Sequence, residues 1–186
     1  MLLVINGPIA SGKSTLARAV ADALRAAGSR TACIDVDLLY DMLVAPTVAA
    51  KGVERSWRIA REAAAGLTDT FLDGGVDAVI VEGRFFAKER VAYRAALRTD
   101  VVPRFVTLRV SYDEALRRAQ TDATRGASRD PAFLRPYFMR VEREMEAIPA
   151  SDLVLDTEQL DLQACVTEVL GLTRRGSWGG LRGSNP

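Results

Sequence analysis

The sequence contains no histidine. Acid–base chemistry built on imidazole, and metal sites built on imidazole nitrogen, are therefore excluded. A proton acceptor in this chain has to be an Asp, Glu, Lys, Tyr or Cys. Cysteine is scarce as well. Cys33 and Cys165 lie far apart and belong to no CxxC pair, so neither a zinc site nor a disulfide framework is predicted. Both read as small buried apolar side chains. No apolar run approaches the roughly 18 residues of a membrane span, and MLLVINGP has no basic segment ahead of its apolar residues. A cytoplasmic, reducing setting without a membrane partner is the expectation. Neither charge is in excess. Lys and Arg number 25 against 24 Asp and Glu, too even a balance for a protein that coats nucleic acid through bulk charge, so no nucleic-acid partner is expected.

The length of 186 residues suits one compact domain. Leu2–Ile5 is a short continuous apolar run, the mark of a strand buried on both faces. Leu16, Ala17, Val20, Ala21 and Leu24 then share one helix face, and Gly28 stops that helix. Strands are predicted again at Arg30–Asp35, Asp77–Glu82, Val101–Val110 (starting near Phe105, after Pro103) and Asp152–Asp156. Between them fall a short helix at Leu38–Leu43, a loop at Ala45–Gly52, and a long helix carrying Trp57, Ala60, Ala64, Leu67 and Phe71 on one face and ending at Gly74-Gly75. Further helices are predicted at Phe86–Leu97, at Tyr112–Arg125, from Pro131 burying Leu134, Tyr137, Val141, Met145 and Ile148, and at Leu160–Leu170. Alternating strands and helices specify a parallel sheet between helical layers. From Thr173 the composition turns to glycine and arginine, and residues 173–186, with Trp178, read as a flexible tail.

Gly7–Ser14, GPIASGKS, matches GxxxxGK[ST] and lies between a predicted strand and a predicted helix. Glycines at 7 and 12 let the backbone curl so that successive N–H groups point at phosphate oxygens, and the helix N-terminus adds partial positive charge. The candidate nucleotide contacts are thus Gly7, Ala10, Ser11, Gly12, Lys13, Ser14 and Thr15. Lys13 is assigned to the β- and γ-phosphates of ATP and the Ser14 hydroxyl to Mg²⁺.

The acids determine what a bound triphosphate is used for. Asp35 and Asp37 end the second strand, the edge where open parallel sheets place ligands, and residues two apart in an extended chain share a face. Asp37 is assigned as the base that takes the proton of an acceptor hydroxyl, and Asp35 as a Mg²⁺ partner. The competing reading makes either one a cap for the next helix. Glu82, closing VIVEGR, is a third candidate for Mg²⁺, and Arg84 comes next, where an acceptor's negative charge could be met. An Asp-Glu pair at that strand end, DxxG and NKxD are all absent, against a motor ATPase and against a GTPase. Arg118, Asp122 and Arg125 share one face of a predicted helix, with Arg129 in the turn after it. They form a candidate lid at 118–130 in which Arg118 and Arg125 meet the nucleotide, Arg125 as a catalytic arginine, and Arg129 meets the acceptor.

Strand, GPIASGKS, helix, acid pair, VIVEGR and an Arg-rich lid together resemble the P-loop small-molecule kinases, among them shikimate, gluconate and adenylylsulfate kinases and chloramphenicol phosphotransferase. The resemblance covers about residues 1–172 as a single domain. It implies an α/β, three-layer αβα P-loop fold with a five-stranded parallel sheet in the order 2-3-1-4-5, and an acceptor region at about 38–75. VDLLYDML is similar to the segment that carries the catalytic aspartate of chloramphenicol phosphotransferase, which falls on Asp37. IDVD resembles the DxD of shikimate kinase, which gives Mg²⁺ to Asp35 and the acceptor to Asp37. RSWRIAREAAAGL resembles the helix after the DGDN segment of adenylylsulfate kinase, which makes Arg55 and Arg58 acceptor contacts. DVD lacks the glycine and asparagine of DGDN, and Glu82-Gly83 replaces the glycine triplet of shikimate kinases. The implied activity is transfer of the ATP γ-phosphate to a hydroxyl of a sugar acid, a nucleoside-like metabolite or an antibiotic. A nucleoside monophosphate kinase gripping its acceptor phosphate through Arg55, Arg58, Arg61 and Arg84, and a non-catalytic ATP-binding switch, are the alternatives. Oligomeric state is not specified by the sequence.

Overall fold

A computed structural model of the protein describes residues 1–43, 50–146 and 150–175. Five strands form one parallel sheet: β1 (Leu2–Asn6), β2 (Thr31–Asp35), β3 (Ala78–Gly83), β4 (Arg104–Arg109) and β5 (Leu153–Asp156), in the order β2-β3-β1-β4-β5. Seven helices connect and cover them: α1 (Lys13–Ala26), α2 (Val36–Asp41), α3 (Ala50–Asp73), α4 (Ala87–Ala96), α5 (Tyr112–Thr121), α6 (Pro131–Glu146) and α7 (Leu162–Arg175). Every residue of β1 and β3 is buried, as the unbroken apolar runs require of strands covered on both faces. Period two splits β1 between the layers. Leu3 and Ile5 pack with α1 and α7, whereas Leu2 and Val4 pack with α3 and α4. The predicted three-layer αβα architecture and sheet order are those found.

The α1 face is the one predicted, with Leu16, Ala17, Val20, Ala21 and Leu24 all buried. The α3 face is not. Leu67 is 37% exposed, and the buried side runs through Ala60, Arg61, Ala64, Ala65, Thr68 and Asp69. Polar residues can occupy it because each finds a partner from elsewhere in the chain. The Thr68 hydroxyl is 2.9 Å from the Tyr93 hydroxyl, and the Asp69 carboxylate accepts from the backbone N–H groups of Arg98 and Thr99. Tyr137 and Met145 are likewise only half-buried on α6, where Phe138 joins Leu134 and Val141 in the core.

Boundaries differ in ways that matter for the site. Helix α2 starts at Val36, two residues early, because the Asp35 side chain caps it. Helix α5 ends at Thr121 rather than Arg125. The Asp122 carboxylate accepts from the Thr124 N–H and hydroxyl, closing a local turn that replaces the next helical turn. Of the loop expected at 45–52, residues 45–49 fall outside the described residues, and α3 has already begun at Ala50. Helix α7 continues through Arg175, so the tail expected from residue 173 does not begin there; residues 176–186 and Ile148 fall outside the described residues. Cys165 is buried as expected, but Cys33 is exposed on β2, one of the two edge strands of the sheet.

Candidate active site

The carboxyl ends of β1, β2 and β3 converge on one point. Parallel register sets Ile5 and Asp35 on either side of Glu82, and the chain leaves β1 there to form the phosphate loop. Asn6 closes β1 fully buried, and its Oδ1 accepts the Phe85 N–H at 2.8 Å. This bond ties the turn that carries Arg84 to the root of the loop. A lone Asn before a glycine motif gives no sequence signal for that role, since it depends on the neighbouring strand.

The loop itself has the shape phosphate binding demands. Gly12 adopts a left-handed conformation, φ 91° and ψ 17°, and Ala10 joins it at φ 60°, so the N–H groups curl inward. A Cβ at Gly7 would stand 2.7 Å from the Ser11 Oγ and 3.0 Å from the Leu108 backbone oxygen, which only glycine avoids. Ser11 Oγ is buried and has no hydrogen-bond partner, an orphaned polar atom in a cradle suited to an oxyanion. Lys13 Nζ donates to the Pro8 carbonyl at 3.0 Å and closes the loop. Burial pushes the Lys13 pKa down, while Asp37 and Glu82 pull it up. The residues present therefore fit a nucleoside triphosphate.

Ser14 Oγ donates to Glu82 Oε2 at 2.8 Å. Burial raises the Glu82 pKa to about 7 against the opposing pull of the Ser14 bond, and Asp35 adds to the rise. Among the described residues no cluster of three acidic or sulfur side chains could hold a metal alone. A hydroxyl and one carboxylate beside a phosphate loop are the few protein ligands Mg²⁺ uses when phosphates supply the rest, so the set fits that ion. A raised carboxyl pKa makes folding favour the protonated form. The stability it confers is full below the unfolded value near 4.5 and is lost as pH rises through 7. Relative to Glu82→Gln, the wild type without divalent cations is expected to lose up to about 3 kcal/mol between pH 4.5 and pH 8. Parallel thermal melts across that range check this; parallel curves would show that Glu82 is not desolvated.

The acid pair is not an extended pair. Asp35 caps α2, its Oδ1 accepting from the N–H groups of Asp37 and Leu38 at 2.9 and 3.4 Å. The capping alternative thus describes Asp35, which leaves only Oδ2 for a metal. Asp37 lies one residue inside α2, at the open mouth of the site. Partial enclosure pushes its carboxyl pKa up, and Lys13 opposes that rise. Gly83 matters to this placement. A Cβ there would meet the Val36 Cβ at 3.0 Å, so α2 starts flush against the end of β3 because Gly83 has none.

Arg118 and Arg125 come together over the loop, though not on one helix face. Together with Ala10, Ser11, Gly12, Thr15, Asp122, Thr157 and Cys165 they line a cleft of 370 Å³ beside the phosphate loop. Arg118 is held on every side. Its guanidinium bonds Glu114, Thr157 and, at 3.5 Å, the Ala10 carbonyl. Arg125 Nε pairs with Asp122 Oδ2 at 3.1 Å, and its charge reaches Lys13. Thr157 carries no signal in the sequence because it gains its role only where β5 lies beside β4. The other arginines are not gathered here. Arg129 is exposed with Nη2 on the Gln120 carbonyl, and Arg55 and Arg58 line a separate 290 Å³ cleft between α3 and α4. Trp57, on the core-facing side of α3 as its helical spacing predicts, is half-buried against the core. It stacks on Tyr40 at 4.1 Å and has the Arg61 and Arg84 guanidinium carbons 5.9 Å from its ring centroid.

No helix among the described residues is long and apolar enough to cross a membrane. No curated protein sequence matches the chain. Solved structures resemble it in fold. A shikimate kinase from Bacteroides thetaiotaomicron superposes with a TM-score of 0.66 at 16% identity, over 94% of this chain and 98% of that one. An APS kinase from Mycobacterium tuberculosis, in complex with AMPPNP and APS, gives 0.64 at 18% identity over 93% and 97%. A gluconokinase from Sinorhizobium meliloti gives 0.58 at 18% over 93% and 91%. The architecture is that of the P-loop small-molecule kinases. Residues 2–136, from β1 through the phosphate loop and strands β2 to β4 to the start of α6, match the model of a family described as an AAA domain, and the chain belongs to that family.

Proposed function

We propose that this protein is a kinase that moves the γ-phosphate of ATP to a hydroxyl group of a small molecule in the cytoplasm. One observation carries the reading: a partly enclosed carboxylate, Asp37, stands at the carboxyl end of the sheet within electrostatic reach of the phosphate-loop Lys13. A carboxylate there repels a triphosphate and is a liability to simple nucleotide binding. It is useful if an acceptor hydroxyl stands between the two. Asp37 takes the hydroxyl proton, the oxygen forms its bond to the γ-phosphorus, and the bond to the β–γ bridging oxygen breaks to release ADP. Lys13 and Arg125 neutralise charge on the phosphoryl oxygens during transfer. Ser14 and Glu82, with the free oxygen of Asp35, would hold Mg²⁺, which when bound neutralises the β- and γ-phosphate oxygens. Arg118, locked against Thr157, offers a fixed planar wall for the base of the nucleotide.

The test is purified protein with ATP and Mg²⁺ against a panel of sugars, sugar acids, nucleosides, nucleoside monophosphates, aminoglycosides and phenicols. ADP release is recorded, and a hit is confirmed by a gain of about 80 Da in the acceptor, the mass of a transferred phosphoryl group. Acceptor-dependent ADP with that mass gain is the expected result. Tight ATP binding with no acceptor-dependent ADP would favour a nucleotide-binding switch.

A further inference from the structure

The two arginines that line the nucleotide cleft are held in different ways. Arg118 is bonded at all three guanidinium nitrogens. Its Nε donates to Glu114 at 2.7 Å, Nη1 to the Thr157 hydroxyl at 2.9 Å, and Nη2 to the Thr157 carbonyl at 2.7 Å. With the longer bond from Nη1 to the Ala10 carbonyl, four of an arginine's five N–H donors are engaged. Little of Arg118 is left for a phosphate. Arg125 is bonded through Nε alone, to Asp122 Oδ2 at 3.1 Å. Among the described residues neither of its Nη groups makes a hydrogen bond. Its charge also bears on Lys13, the cation of the phosphate loop. Arg125 is therefore the arginine of this cleft with donors to offer.

The turn after α5 decides where those donors sit. Asp122 Oδ1 accepts from the Thr124 N–H at 3.0 Å and from the Thr124 hydroxyl at 2.6 Å. The Arg125 N–H donates to the Asp122 carbonyl at 3.2 Å. One oxygen of the carboxylate is thus fixed by Thr124, and the other is left to grip Arg125. The Thr124 bonds, helped by the charge of Arg125, hold the Asp122 carboxyl below the ordinary aspartate range, so it is ionised at neutral pH. An ion pair between side chains 35% and 41% exposed adds little to folding. Orientation is what this pair can supply. A carboxylate on the Nε edge of a planar guanidinium leaves the edge with both Nη groups open, and that edge matches two phosphate oxygens.

We propose that Asp122 is a positioning residue: by gripping Nε it presents both Nη groups of Arg125 to the terminal phosphate of a bound nucleoside triphosphate. Asp122 acts through Arg125 alone and makes no contact with phosphate, which its own charge would repel. The inference rests on the proposed role of Arg125 at the transferring phosphoryl group, but nucleotide binding tests it without any transfer.

Isothermal titration with ADP and with AMPPNP, each with Mg²⁺, measures what the third phosphate adds, as the Kd for ADP divided by that for AMPPNP. Arg125→Ala is expected to lower this ratio about tenfold, the size of one charge-assisted contact. Asp122→Ala is expected to lower it at least about threefold. The double variant should match Arg125→Ala within about twofold, because a residue acting through Arg125 has nothing to act on once Arg125 is gone. Asp122→Asn can still accept from Thr124 but has no carboxylate for Nε, and it should fall with Asp122→Ala. Circular dichroism shows that each variant is folded. With an acceptor that supports ADP release, Asp122→Ala should lower kcat and leave the acceptor KM within about twofold. An unchanged ratio in any single variant, a ratio that rises without Asp122, or losses that multiply in the double variant would each overturn the inference. The expected binding pattern without ADP release from any acceptor would keep the role of Asp122 and remove the kinase reading. Acceptor-dependent ADP release with the ratio unchanged in Asp122→Ala would do the reverse.

Discussion

Asp37→Asn is expected to slow acceptor-dependent ADP release by about 10²- to 10⁴-fold, the usual contribution of a positioned general base, with nucleotide affinity changed by no more than about twofold. Asparagine keeps the size and polarity of the side chain but cannot take a proton. The Asp37 side chain accepts none of the hydrogen bonds that cap α2, which go to Asp35, so the substitution leaves the helix start intact. Removing a negative charge that faces the triphosphate cannot by itself weaken binding of an anion. Loss of turnover with binding preserved is therefore the signature of a base, and loss of both together would point to a structural role for Asp37 instead. The pH profile carries a second check. Because burial raises the Asp37 pKa, the acid limb of the wild-type rate should lie above the ordinary aspartate range, with activity rising as pH rises through it. An acid limb set by Asp37 should vanish from the residual rate of the variant.

Lys13→Ala is expected to weaken ATP binding by about 10- to 100-fold, the worth of one charge-assisted contact to phosphate, and to lower the transfer rate by about 10²- to 10³-fold more. The reason lies in what would be left behind. Asp37, Glu82 and Asp35 all raise the Lys13 pKa, so Lys13 is the cation that these carboxylates share. Without it they would meet the triphosphate uncompensated. The ammonium group also holds the Pro8 carbonyl at 3.0 Å, and its loss would free the loop to open. Arginine should rescue little, because a planar fork cannot replace a compact ammonium inside a closed loop. Isothermal titration with AMPPNP separates the binding loss from the rate loss. An unchanged affinity would mean that the loop amides and Ser11 hold the nucleotide without Lys13.

These two residues are legible in the sequence for different reasons. Lys13 belongs to a local motif, in which eight consecutive residues specify a backbone path, and the path found has Gly12 and Ala10 left-handed where the curl requires it. Asp37 is legible from its place at the end of a strand. Its conformation is not, because the helix begins at Val36 under the Asp35 cap and the pair never lies extended. Helical spacing singles out Arg118 and Arg125, and the helix stops before Arg125; both still reach the nucleotide cleft because the Asp122 turn folds Arg125 back. Arg55 and Arg58, chosen by likeness of a segment, line another cleft.

By itself the sequence determined what depends on neighbours along the chain. The apolar runs, the period of α1, the phosphate loop and the alternation of strand and helix are local, and together they dictate a parallel sheet between helical layers. Partnership across the sheet was settled only by the tertiary structure. Glu82 stands beside Ser14, Asn6 fixes the turn of Arg84, Thr157 locks Arg118, and Thr68 and Asp69 turn the polar side of α3 inward. Each of these contacts joins residues 25 to 79 positions apart. No periodicity or motif encodes such a pair, because the burial that makes it necessary exists only once the layers have closed.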